Sequence, residues 1–88
     1  MKSDVFTKEK IREMIIEFLC YQFLVDEEDI ELNESLIDSG VTDSLGLIEI
    51  ASFLEQKFSM IITENLMVRE NFGSINKIVD FIDRQASS

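Results

Sequence analysis

The fold is decided by residues 38–58, which read DSGVTDSLGLIEIASFLEQKF. From Leu45 onward, the apolar residues of this stretch recur at helical spacing. Thr42 or Asp43 is predicted to cap the helix, because either side chain can accept a hydrogen bond from a free N–H group of the first turn. Ser44 then lies in the first turn, where the helix dipole favours an attached anion such as a phosphate ester. An ordinary first-turn role is the commoner one for serine, so both interpretations stay open at this point.

This helix is predicted to be apolar on more than one side. Three residues at intervals of four form a stripe typical of a side that faces the core: Ile50, Leu54 and Phe58. Three more apolar residues lie off that stripe: Leu45, Ile48 and Phe53. A long loop can cover such a second side, or the domain can expose it to a partner protein, and the sequence favours neither.

One long helix is predicted before this stretch, and a short helix and another long helix are predicted after it. Thr7 is expected to cap the first, whose apolar set is Ile11, Met14, Ile15, Phe18 and Leu19. Ser74 is expected to cap the last, whose apolar set is Ile75, Ile78, Val79, Phe81 and Ile82. Residues 64–68 are predicted to form a short helical turn, and residues 71–74 a break. The fold class is therefore all-α, a four-helix bundle with three main helices, one short helix and a long first loop.

The long first loop is predicted from the acidic residues 26–38. This segment holds seven Asp and Glu residues and no base, and its apolar residues are spaced irregularly: Ile30, Leu32, Leu36 and Ile37. We expect an ordered loop that a few inward-pointing apolar side chains hold in place. A calcium loop of the EF-hand type needs a central Gly, which residues 26–39 lack, so no metal site is predicted.

The composition excludes several classes of function. The 88 residues include 8 Lys and Arg, 18 Asp and Glu and no His, for a net charge of −10. Binding to nucleic acid or to an anionic membrane surface is not expected of so acidic a chain. Without His, neither Ser-His-Asp nor Cys-His catalysis is available. The single Cys20 excludes an internal disulfide and a thiolate zinc cluster, and an inert thiol is its expected state.

These limits predict one small domain over residues 1–88, with its core at about residues 7–83 and with frayed ends, residues 85–88 among them. No apolar run approaches the ~18 residues of a membrane span, and residues 1–6 do not resemble a signal peptide. A cytoplasmic monomer with basic protein partners is expected. The side chains of Phe18, Leu54, Phe58 and Phe81 are predicted to be buried.

The region around Ser44 resembles the attachment motif of the acyl carrier protein family, which includes thiolation and peptidyl carrier domains. The family pattern is Asp-Ser-Leu at the start of the second of four helices, matched here by Asp43, Ser44 and Leu45. An upstream Leu-x-Asp-x-Gly pattern is matched by Leu36, Asp38 and Gly40. Residues 70–75 resemble the segment that links the third and fourth helices in many discrete carriers. The resemblance covers about residues 7–83.

The resemblance implies a carrier and not an enzyme. In this family a phosphopantetheinyl transferase moves 4'-phosphopantetheine from coenzyme A onto the serine, here Ser44. The thiol of the arm then holds an acyl or aminoacyl group as a thioester, first for a loading ligase and then for a downstream synthase or transferase. The family pattern makes Asp43 a contact of the transferase, through the magnesium-bound diphosphate of coenzyme A. It places Leu45, Ile48 and Glu49 on the surface that faces partner enzymes.

Some features depart from the carriers of fatty-acid synthesis. Thr42 stands where many of them have Ala or Gly, and most of the negative charge lies in residues 26–38 rather than on the second helix. Gly46 lowers the helix propensity by up to about 1 kcal/mol relative to Ala, which suggests a close approach by the arm or a partner, or a flexible helix start. These departures favour a specialised pathway: polyketide, nonribosomal peptide or aminoacylation of an envelope polymer.

Three alternatives remain beside the specialised carrier. A fatty-acid-synthesis carrier shares the motif, and an acidic helical adaptor without a prosthetic group shares the composition. An adaptor would not need the Ser44 hydroxyl, whereas a carrier would. A small enzyme has the least support, because the chain offers no pairing of a nucleophile with a base and a bundle of this size leaves little room for a substrate pocket.

Overall fold

A computed structural model of the chain describes residues 7–87. It contains four α-helices: α1, Lys8–Phe23; α2, Ser44–Phe58; α3, Arg69–Phe72; and α4, Ile75–Ser87. Two short 3-10 turns, Glu27–Asp29 and Glu64–Leu66, lie in the connections. Residues 7–87 contain no strand, and three of the four helices are long, so the predicted all-α bundle is confirmed. No helix in this part of the chain is long and apolar enough to cross a bilayer.

The predicted caps hold the outer helices. Thr7 Oγ1 accepts a hydrogen bond of 3.1 Å from the Lys10 N–H group at the start of α1. Ser74 Oγ accepts one of 3.3 Å from the Lys77 N–H group at the start of α4. Each cap satisfies an N–H group that has no partner within its helix, so both helices begin where the sequence predicts.

The core is formed by one apolar face from each long helix. These buried residues recur at the helical spacing of three or four: Ile11, Ile15 and Leu19 in α1; Ile50, Ala51 and Leu54 in α2; Ile75, Ile78, Val79, Phe81 and Ile82 in α4. α1 packs against α4, and α3 also packs against α4. The predicted burial of Leu54 and Phe81 is therefore confirmed.

The predicted burial of Phe18 and Phe58 is wrong, because both side chains are only half-buried. Phe18 stacks on Phe53 at the edge of the core, with ring centroids 4.2 Å apart and an interplanar angle of 18°. Phe58 is the last residue of α2, which ends at the left-handed Ser59 with φ of 52°. The fully enclosed aromatic partner of Phe81 is instead Phe72, at 5.4 Å between centroids.

Two helix ends also differ from the prediction. Residues 71–74 were expected to form a break, but Asn71 and Phe72 belong to α3 and the bend is confined to Gly73 and Ser74. The helical backbone of α4 extends to Ser87, whereas fraying was expected from residue 85. The rest of the expected fraying concerns residues 1–6 and 88, which lie outside the described residues.

The first loop, residues 24–43, is fastened to the bundle at Leu36. The Leu36 side chain is 1% exposed, and its N–H group donates a hydrogen bond of 3.0 Å to the Gly73 carbonyl. The Asn76 N–H group donates one of 3.0 Å to the Leu32 carbonyl, and Asn76 Nδ2 donates one of 2.7 Å to Asn33 Oδ1. This confirms an ordered loop held by inward apolar side chains.

Ile37 is not one of the inward side chains. Its side chain is 43% exposed, because the chain turns between residues 35 and 40 and only Leu36 of this turn points into the core. Neighbouring residues of the first loop therefore have opposite environments.

This contrast predicts different stabilities for two matched variants. Leu36→Ala should lower the free energy of unfolding by about 2–5 kcal/mol, because it leaves a cavity in the core and loosens the first loop. Ile37→Ala removes the same number of carbon atoms from an exposed position and should lower it by less than about 1 kcal/mol. Urea denaturation of the two variants measures both values. Equal losses would contradict the role given to Leu36.

Candidate functional site

Asp43 determines where α2 begins. Its carboxylate Oδ1 accepts a hydrogen bond of 2.9 Å from the Gly46 N–H group, and its carbonyl accepts one of 3.0 Å from the Leu47 N–H group. The backbone of Asp43 is extended, as expected for a residue that caps a helix. Of the two predicted caps, Asp43 is therefore the cap. Thr42 Oγ1 makes only a long hydrogen bond of 3.4 Å to the Asp43 carbonyl.

Ser44 is the first residue of α2, and its side chain is exposed. Within residues 7–87, no group forms a hydrogen bond with the Ser44 hydroxyl. The N–H groups of Ser44 and Leu45 precede the first hydrogen bond of the helix, so they remain available to an anion. An anionic ester on Ser44 would lie at the positive end of a helix of 15 residues.

The predicted partner-facing residues lie on the surface next to Ser44. Leu45 is 72% exposed and Ile48 is 53% exposed, so no loop covers this part of α2. Glu49 is also exposed, and its Oε1 accepts a hydrogen bond of 3.2 Å from Gln22 Nε2 of α1. Farther along α2, Phe53 is half-buried against Phe18. The second apolar side of α2 is thus exposed near Ser44 and covered by α1 beyond it.

An apolar groove that the sequence pattern does not predict lies between α2, α3 and the first loop. We call it the α2–α3 groove; its volume is about 250 Å³. Its lining residues are Ser35, Ile37, Asp38, Leu47, Met67, Val68, Arg69, Phe72 and Gly73. Leu47 lies three residues after Ser44 on the same side of α2, so the groove begins within one turn of the serine. The irregular spacing of the apolar residues in the first loop does not show which of them are exposed, so the sequence does not reveal this groove.

Gly46 is needed by contacts within the chain itself. A Cβ atom at this position would overlap Thr42 Oγ1 and would lie 3.1 Å from Phe23 Cε1. Gly46 is buried, so neither the arm nor a partner is required to explain the missing side chain. Thr42, which also departs from the fatty-acid carriers, is thus accommodated by the glycine that follows it one turn later.

Cys20 is half-buried in α1. Partial burial raises the pKa of its thiol, and the carboxylates of Glu27 and Asp26 raise that pKa further. The thiol therefore stays protonated at neutral pH, which agrees with the expected inert cysteine. In the part of the chain that the structure describes, no group of three His, Cys, Asp or Glu residues is placed to hold a metal ion.

Comparison with known proteins gives two kinds of match. A family model described as "Phosphopantetheine attachment site" matches residues 9–82. A D-alanyl carrier protein of Streptococcus uberis is 37% identical over 70 residues, covering 80% of this chain and 87% of the relative. One of Streptococcus sanguinis is 33% identical with the same coverage. One of Streptococcus pyogenes is 32% identical over 73 residues, covering 83% of this chain and 91% of the relative.

The environment of Gly46 predicts the sign of one substitution. By helix propensity alone, Gly46→Ala would stabilise the protein by up to about 1 kcal/mol. The overlap with Thr42 should reverse this, so that Gly46→Ala lowers the free energy of unfolding by about 1–3 kcal/mol. In a Thr42→Ala background, the same change should be far less harmful. Thermal and urea unfolding of the four proteins of this cycle measure the coupling, and a more stable single variant Gly46→Ala would refute the packing role.

The capping role of Asp43 predicts different stabilities for two variants of this residue. Asp43→Ala removes the acceptor for the Gly46 N–H group and should lower the free energy of unfolding by about 0.5–2 kcal/mol. Asp43→Asn keeps an acceptor of the same shape and should be nearly neutral, because Asn is about as good a cap as Asp. Urea melts distinguish the two variants. Equal losses would mean that the charge of Asp43, and not its hydrogen bond, stabilises α2.

Proposed function

The chain belongs to the phosphopantetheine-attachment family of carrier proteins, and from this membership we propose an aminoacyl carrier that holds a D-alanyl group on an arm attached to Ser44. The family resemblance predicted from the sequence is confirmed, and carriers of this family are not catalysts. The cofactor is 4'-phosphopantetheine, bound covalently. A prosthetic-group-free adaptor is therefore not the function of this domain.

The residues at the start of α2 fit such an arm. The observation that carries the assignment to Ser44 is an exposed hydroxyl without a hydrogen-bond partner in residues 7–87, at the N-terminus of α2 within the matched region. The open N–H groups of Ser44 and Leu45 would stabilise the negative charge of a phosphodiester there. When bound, the arm supplies a thiol that carries the cargo as a thioester. The chain itself supplies the attachment oxygen and the surface on which partner enzymes dock.

Asp43 has two roles in this proposal. One carboxylate oxygen caps α2, which places Ser44 at the helix start. The other oxygen remains open for the magnesium-bound diphosphate of coenzyme A when the transferase approaches. Asp43→Asn separates these roles, since the cap is kept while the charge is lost. Leu45 and Ile48 would form the apolar part of the docking surface, with Glu49 as an acidic contact at its edge.

The proposed cargo rests on the relatives. The names of those described above specify a D-alanyl group, and each aligns with at least four-fifths of this chain. An aminoacyl cargo was one of three specialised pathways that the sequence favoured, so the relatives support it over polyketide and nonribosomal peptide carriers. The partners proposed are a phosphopantetheinyl transferase, a ligase that activates D-alanine and an enzyme that receives the aminoacyl group.

The net charge of the chain supports basic partner enzymes and a monomeric state. A net charge of −10 attracts basic enzymes over a long range, and added salt should weaken that attraction. The same charge opposes self-association, which favours a monomer. We place the protein in the cytoplasm, where coenzyme A is the donor of the arm.

The attachment site predicts a mass change that depends on one hydroxyl. The wild-type protein should gain one phosphopantetheine when it is incubated with coenzyme A, magnesium and a broad-specificity phosphopantetheinyl transferase. Ser44→Ala should gain none. Ser52→Ala removes an exposed hydroxyl from the same helix and should gain one, as the wild type does. Intact-mass spectrometry reads all three, and modification of Ser44→Ala would refute the site.

A second stage of this experiment tests the cargo. In one set of reactions the modified protein is incubated with ATP, the host's aminoacyl-activating ligases and either D-alanine or L-alanine. In another it is incubated with malonyl-coenzyme A and a fatty-acid synthase. D-alanine should add as a thioester that hydroxylamine removes. Selective loading with malonyl groups followed by chain elongation would overturn the aminoacyl proposal and leave the family assignment intact.

A further inference from the structure

A second depression lies beside Ser44, on the side of α2 that faces the end of α1. Its volume is about 520 Å³, and it shares no lining residue with the α2–α3 groove. Asp43 and Leu45, the two neighbours of Ser44, both line it. The carboxylates of Asp43 and Glu49 make it acidic, and among the described residues no Lys or Arg lines it. An acidic surface therefore adjoins the proposed attachment site.

The Glu49 carboxylate on this surface is held by a residue of α1. Gln22 Nε2 donates a hydrogen bond of 3.2 Å to Glu49 Oε1. Within residues 7–87, no hydrogen bond or ion pair engages the other oxygen, Glu49 Oε2. Both side chains are exposed. One carboxylate oxygen is thus anchored while the other remains accessible to a partner.

Apolar packing fixes the end of α1 against α2 independently of this bond. Phe23, the last residue of α1, forms a T-shaped pair with Phe18, with ring centroids 6.2 Å apart. Phe18 in turn stacks on Phe53 of α2. The Phe23 ring also lies against Gly46, where a Cβ atom would stand 3.1 Å from Phe23 Cε1. The end of α1 is therefore a fixed support for a side chain that reaches toward α2.

The bond between Gln22 and Glu49 acts on the Glu49 side chain rather than on the packing. Water competes for both exposed groups, so the bond adds little to stability. A free glutamate side chain has many rotamers and loses that freedom when a partner binds it. The bond to Gln22 removes part of this loss before the partner arrives. Because the amide donor is neutral, the carboxylate keeps its negative charge, which a lysine in the same place would neutralise.

We propose that Gln22 is a positioning residue for attachment of the arm: it holds the Glu49 carboxylate in place for a Lys or Arg side chain of the phosphopantetheinyl transferase. Gln22 acts through Glu49 and does not contact the transferase itself. The inference deepens the proposed function and rests on it, since it takes Ser44 as the attachment site. The transferase is the partner that an attachment-site family itself implies. A basic side chain fits the depression because its charged residues are all acidic.

The kinetics of arm attachment test this role. Transfer from coenzyme A to Ser44 by a broad-specificity transferase is followed by intact mass at several carrier concentrations, which gives kcat and KM separately. Gln22→Leu should raise KM about three- to tenfold, because the transferase must then order a long side chain, with kcat and the urea midpoint unchanged. Gln85→Leu changes an exposed glutamine beside the C-terminal end of α2 and should leave KM unchanged. Added salt should bring the KM values of the wild type and Gln22→Leu together, because the contact of Glu49 is ionic.

A double-mutant cycle shows whether Gln22 acts through Glu49. Glu49→Gln should raise KM at least as much as Gln22→Leu does, and combining the two should cause no further rise. Gln22→Lys keeps a donor for Glu49 but neutralises its charge, so KM should rise here as well. A bond with a purely structural role would tolerate this lysine.

The outcomes separate two failures. The inference is overturned, with the attachment site intact, by a wild-type KM for Gln22→Leu or for Gln22→Lys. It is also overturned by additive rises in the double variant, since Gln22 would then contact the transferase directly. If the wild type gains no phosphopantetheine, the proposed function fails and the positioning role fails with it.

Discussion

The burial of Leu36 is the constraint on which the site depends. This residue lies in a polar, acidic loop, yet its side chain is enclosed by the bundle and both of its backbone groups are used. Its N–H group bonds the Gly73 carbonyl, and its carbonyl accepts a hydrogen bond of 3.2 Å from the Thr42 N–H group. One residue therefore connects the α3–α4 junction to the two residues that precede α2. These contacts of Leu36 position the backbone of Thr42 and Asp43, so that Asp43 can cap α2. They also hold the first loop in place as one wall of the α2–α3 groove.

Neutral contacts hold this acidic loop, and its charges remain in solvent. The one salt bridge between side chains of residues 7–87, Lys8 with Asp80, is half-exposed and distant in sequence from the loop. Such exposed pairs stabilise a fold by at most about 1 kcal/mol. The loop is instead fastened by Leu36 and by the amide of Asn76, which bonds Asn33 and Arg12. Because the position of the first loop does not depend on ion pairs, its acidic side chains remain available to attract partner enzymes.

Regular periodicity explains which parts of the fold were predictable from sequence. The long helices, their caps at Thr7, at Thr42 or Asp43 and at Ser74, and the first-turn position of Ser44 follow from local patterns that act within one or two turns. The apolar residues of the first loop are irregularly spaced, so the sequence could not show that Leu36 is buried while Ile37 is exposed. Phe58 satisfied the stripe of α2 but lies at its end, where little of the bundle remains to enclose it. The packing of Thr42 against Gly46 and the α2–α3 groove arise only from contacts between elements, which local patterns do not encode.

A carrier must bind several enzymes in turn and leave each of them, and this limits how its specificity can be built. A large apolar interface would give affinity but would also slow dissociation, since differences in affinity among related complexes lie mostly in the dissociation rate. Long-range attraction by negative charge raises the association rate without adding contacts, but every acidic carrier shares it. Discrimination then has to come from a small feature that contributes little affinity.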